Sequence, residues 1–62
     1  MTPDEERWAE ALAVERIHGA GAPRYVAERI GTLALAGDQA GVDRWKAIAS
    51  KLDQLLRRPG HL

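Results

Sequence analysis

Glu15 and His18 stand three residues apart, the interval at which a carboxylate and an imidazole share one face of a helix in helical metal sites. Such sites draw four or more ligands from facing helices, and the chain contains no second Glu-x-x-His. His18 is therefore expected to cap a helix or decorate the surface, and no metal ligand is assigned. The hydroxyls are Thr2, Tyr25, Thr32 and Ser50. None has an evident base beside it with a third group to orient that base, as nucleophilic catalysis requires. The acidic residues cluster at helix starts, where capping accounts for them. No glycine falls between a strand and a helix, so no phosphate-cradling loop is read. A chain this small also has little room for a pocket that excludes water. The expectation is a protein that is not an enzyme and carries no cofactor.

One charge pattern stands out. Arg44, Lys51 and Arg58 are seven apart, so on a helix they line one edge, predicted to lie roughly opposite the apolar stripe. Such a row suits nucleic-acid phosphates or an acidic protein surface. The overall balance opposes nucleic acid: nine Lys and Arg offset nine Asp and Glu, and Asp38 and Asp43 make the preceding turn acidic. The distribution is uneven, with residues 1–18 carrying a net −3 and residues 44–58 a net +4. The plainest consequence is an acidic first helix and a basic last helix that face one another or solvent.

The elements that must position these side chains are well marked. Thr2 followed by Pro3, Asp4 and Glu5 reads as an N-cap, a proline at the first helical position and a Glu placed to close a capping box. The first helix is predicted over residues 3–18, with Trp8, Ala9, Leu12 and Ala13 as its apolar face and Gly19 as its stop. Gly19-Ala20-Gly21-Ala22-Pro23 is a short connection, after which Val26, Ile30, Leu33 and Ala34 follow helical spacing over residues 23–36. Gly37 ends that run and Asp38 can cap the next. Gly31, inside the second helix, costs about 1 kcal/mol relative to alanine; it either lets a neighbouring backbone or a tryptophan approach closely or is simply a tolerated glycine.

The third helix, residues 39–57, has the cleanest pattern, with Val42, Trp45, Ile48, Ala49, Leu52, Leu55 and Leu56 in one broad stripe. Pro59-Gly60 stops it, leaving residues 58–62, His61 among them, as a frayed tail. No segment alternates at a two-residue period, so the fold class is all-α: a small three-helix domain with short Gly/Pro-marked turns. Sequential helices are expected as antiparallel neighbours, either all three together or as a helical hairpin with a leading helix.

Sixty-two residues permit one domain, and a chain of this size buries only roughly 60% of the surface its unfolded form exposes. With no cysteine, neither disulfides nor thiolate metal sites can reinforce it, which leaves good packing and oligomerisation. The predicted core is Trp8, Leu12, Val26, Ile30, Leu33, Trp45, Ile48, Leu52 and Leu55. Val14, Tyr25 and Leu35 project away from these stripes and are read, with Arg44, Lys51 and Arg58, as candidate interaction residues. No segment reaches the ~18 apolar residues of a membrane span, and the acidic N-terminus lacks the pattern of a secretory signal. A cytoplasmic protein with no membrane association is expected.

The order Trp8…Ala11-Leu12, Arg29-Ile30, Gly37-Asp38-x-x-Gly41, Arg44-Trp45, Ile48-Ala49 and Leu52 resembles a family of small uncharacterised helical proteins of alphaproteobacteria, over nearly the whole chain to about Leu56. The resemblance implies a bacterial, small-helical protein and transfers no catalytic, cofactor or binding residue. The leading expectation is a non-enzymatic helical module for protein–protein interaction or self-association. The alternative is a small nucleic-acid accessory protein using the basic row of the third helix.

Overall fold

A computed structural model describes residues 1–57. Three α-helices follow one another: α1 over Pro3–His18, α2 over Ala22–Leu35 and α3 over Gln39–Leu56, with a 3-10 turn, Gly19–Gly21, between the first two. No strand occurs among the described residues.

The boundaries follow from local chemistry. The Thr2 hydroxyl accepts from the Glu5 amide at 3.1 Å, and the Thr2 amide donates back to Glu5 Oε1 at 2.8 Å, closing a capping box that satisfies two otherwise unpaired donors. Gly37 ends α2 at φ +75°, a conformation in which a Cβ would be strained. Around it the Gly37 amide donates to the Ala34 carbonyl at 3.1 Å and the Asp38 amide to the Leu33 carbonyl at 3.0 Å, the paired bonds of a Schellman turn. Asp38 then caps α3 by accepting from the Gly41 amide at 2.9 Å. One three-residue connection thus both stops α2 and starts α3, and it folds these helices into a hairpin.

α3 is the centre of the arrangement. It packs along α2 on one side and along α1 on the other, while α1 and α2 touch one another far less. The expectation that sequential helices are neighbours holds for α2 and α3 and gives way for α1, which reaches past its successor to lie on α3. The result is a hairpin with a leading helix, measuring 39 × 27 × 17 Å.

The buried cluster is Ala11 and Val14 from α1, Ala22 and Val26 from α2, and Ile48 and Leu52 from α3. Tyr25, Ile30, Trp45, Ala49 and Leu55 pack against it, and Val42 is buried as well. Helix α1 departs from the predicted core. Val14, expected to project away, is only 8% exposed, whereas Leu12 is 48% exposed. The inward face of α1 runs through Ala11 and Val14, a turn apart, and Leu12 lies about 100° round from Ala11. The alanine at position 11 explains the choice, since a small side chain lets α1 approach α3 closely and fill the gap with Val14. Trp8 and Leu33 are half-buried and lie outside the cluster.

Candidate interaction surface

The basic row of α3 is engaged inside the chain. Lys51 is 19% exposed in its side chain, and its ammonium lies 2.6 Å from the Asp4 carboxylate and 4.9 Å from the centroid of the Trp8 ring. Arg44 hydrogen-bonds Glu10. That hydrogen bond, and secondarily the Glu10 charge, pushes the guanidinium further above its already high ordinary pKa. Arg7 Nε and Glu10 Oε1 are 2.5 Å apart yet not aligned for a hydrogen bond, so that contact is an ion pair. The acidic helix and the basic helix face one another, and Arg44 and Lys51 are not the free row opposite the apolar stripe that their spacing suggested. The stripe of α3 is broad enough for two neighbours, so its edge residues meet α1. Arg58 lies outside the described residues.

Tyr25 is also internal in part. Its ring stacks on His18 with centroids 3.9 Å apart and planes 16° from parallel, and it meets Trp45 edge-on at 5.9 Å. The Arg29 guanidinium lies 5.4 Å from the Trp45 ring, its Nε buried without a hydrogen-bond partner among the described residues. These four side chains tie the end of α1 to α2 and α3. The sequence named Tyr25 and His18 but not their stacking, which joins residues seven apart across the glycine turn. Among the described residues no three potential ligands from His, Cys, Asp and Glu converge.

Several large apolar side chains remain open to solvent. Leu35 is 93% exposed, and Ile17, Leu12 and Leu56 are exposed as well. Between α2 and α3 a groove of about 200 Å³ is floored by Val26 and Leu52 and walled by Pro23, Ala27 and Ile30 on one side and Ala49 and Leu56 on the other. Asp53, paired with Arg57 at 2.9 Å, supplies its polar edge. Helical spacing puts Ile30 and Leu52 in the core; Leu52 is buried and Ile30 is half-buried against it, and nothing in the spacing marks a groove. A groove depends on how far apart two helices pack, and helical periodicity is silent on that distance.

No helix among the described residues is long and apolar enough to cross a membrane. No curated protein and no solved structure matches the chain. A family model does match, over residues 3–60, so all three helices fall within it. The chain belongs to that family, DUF6961, a family of unknown function.

Proposed function

We propose that this chain is a non-enzymatic helical interaction module that associates with copies of itself. The observation that supports this reading is the mismatch between a small core and a large apolar inventory. Ile48 and Val26 are the largest side chains that are fully buried, while Ala11 and Ala22 add only a methyl group each to the interior. Tyr25, Ile30, Trp45 and Leu55 stay half-buried, and Leu12, Ile17, Leu35 and Leu56 are exposed. Scattered exposed leucines are ordinary, but here they accompany an apolar groove in a chain with little interior. Burial against a second molecule removes that surface from water at about 25 cal/mol per Å² and adds stability that a chain this short lacks alone.

Nucleic-acid binding draws no support from the same geometry, because Arg44 and Lys51 already face Glu10 and Asp4. Sedimentation equilibrium near physiological salt tests the proposal, with urea unfolding repeated at several protein concentrations. A closed oligomer whose unfolding midpoint rises with concentration is the expected result. A mass of 6.8 kDa at every concentration, with a fixed midpoint, overturns it.

A further inference from the structure

We propose that α2 forms the seam of a homodimer, two copies pairing antiparallel about a twofold axis at Gly31. This inference rests on the self-association reading and names its surface and geometry. It starts from the apolar groove, whose α2 wall continues outward. At 100° per residue, Ala27, Gly31, Ala34 and Leu35 share one face of α2, and all four are exposed. Pro23 and Ile30 connect that face to the groove, so one apolar surface runs from Leu56 across the groove to Leu35.

Leu35 lies at one end of this surface and the groove wall at Pro23 and Ala27 at the other. That arrangement is self-complementary. An antiparallel pair crossing at Gly31 sets each Leu35 over the partner's Ala27, beside the groove. Gly31 at the crossing has no use within the chain, since a Cβ built there meets nothing within 4 Å among the described residues. Between two crossing helices the missing side chain allows an approach closer than the usual 8–10 Å between axes.

Charge selects both the occupant and its direction. Arg24, near the start of α2, is 86% exposed in its side chain and meets only the likewise solvent-facing Glu28 of its own helix, at 3.5 Å, a surface pair that holds it weakly, and Asp38 follows the end of α2. The helical steps from Arg24 to Leu35 alone span about 16 Å at about 1.5 Å per residue, about twice the Debye length of ~8 Å at physiological salt, so within one chain the two charges scarcely interact. The antiparallel pair sets Arg24 against the partner's Asp38 at both ends. A parallel pair would set Arg24 against the partner's Arg24. A second copy of the chain supplies the apolar knob, the groove and the opposite charges together.

The chain has no cysteine, so single thiols report proximity cleanly. Gly31→Cys is expected to form a disulfide-linked dimer under mild oxidation, because the bond needs Cα atoms within ~7 Å, and Ser50→Cys, at another exposed position on α3, is expected not to. Gly31→Arg has open space in the single chain, so its helical circular dichroism should match that of the parent. In the dimer it places two cations at the crossing, and the dissociation constant should rise at least about tenfold by sedimentation equilibrium. A dimer that withstands Gly31→Arg and does not cross-link through Gly31→Cys overturns this seam while leaving self-association intact. A strict monomer at every concentration overturns both.

Discussion

The Lys51 ammonium sits 4.9 Å from the centroid of the Trp8 ring, joining the basic helix to the acidic one through an aromatic face as well as through charge. Lys51 is thereby held between the Trp8 ring and the Asp4 carboxylate, 2.6 Å away, with most of its side chain out of solvent. A lysine at this position acts as packing and as counter-charge together.

Replacing it separates the two effects. Lys51→Met keeps the stem and removes the charge, and should destabilise the fold by about 1 kcal/mol. In a domain of this size that lowers Tm by about 4–8 °C. In a double-mutant cycle with Trp8→Leu the two losses should be less than additive, because either change removes the same contact. Strict additivity in thermal or urea unfolding would show that Lys51 and Trp8 do not interact.

The inward face of α1 makes a sharper contrast. Val14→Ala deletes two buried methyl groups and should cost about 1.5–2 kcal/mol, at about 0.8 kcal/mol per group plus a cavity. Leu12→Ala removes more carbon from a side chain that is 48% exposed and should cost less than Val14→Ala. Urea unfolding of both variants decides the matter. A larger loss at Leu12 would mean that α1 is rotated from the described position.

At the start of α3, Gly41 and Asp38 are coupled. A Cβ at Gly41 would lie 2.6 Å from Asp38 Oδ2, so Gly41→Ala must displace the carboxylate that caps the helix. It should therefore lower stability by about 1 kcal/mol, the usual worth of a cap, although alanine favours helix more than glycine does. In an Asp38→Ala background the same change should be neutral or stabilising. A stabilising effect in both backgrounds would mean that the cap bond does not form.

Arg44 and Glu10 predict a salt response and a pH response. Reversing Glu10 to Lys crowds Arg7 and Arg44 with a third cation and should lower Tm, the drop shrinking in high salt because the pair is exposed. Adding Arg44→Glu should recover part of it. Because the folded-state pKa of Arg44 is raised, its contribution is complete below the unfolded value and is lost only as pH rises through the folded one. That window lies in strong alkali, so between pH 6 and pH 9 the effect of Arg44→Gln on Tm should be constant. A strong pH dependence in that range would assign the contact to another group.

The groove is the least legible feature. Leu35 stood out in the sequence because it falls off the apolar stripe of α2, and it is exposed in the structure. Val14 stood out for the same reason and is buried. The two differ because α2 has one neighbour, α3, along most of its length, and its single stripe is decisive. Helix α1 carries apolar side chains around its whole circumference, from Trp8 and Leu12 through Ala9 and Ala13 to Ile17, Val14 and Ala11, so periodicity alone does not select the side that is buried.

The sequence by itself determined the helices, their caps and their stops, because these rest on contacts between residues three or four apart: Thr2 with Glu5, Gly37 with Ala34, and Asp38 with Gly41. It also determined that opposite charges would accumulate on the first and last helices. Only the tertiary structure decided which cation meets which carboxylate, which face of α1 turns inward, and where α2 and α3 part to leave a groove. Those outcomes depend on the distance and rotation between helices, which small side chains such as Ala11 and Ala22 set by how closely they let two backbones approach.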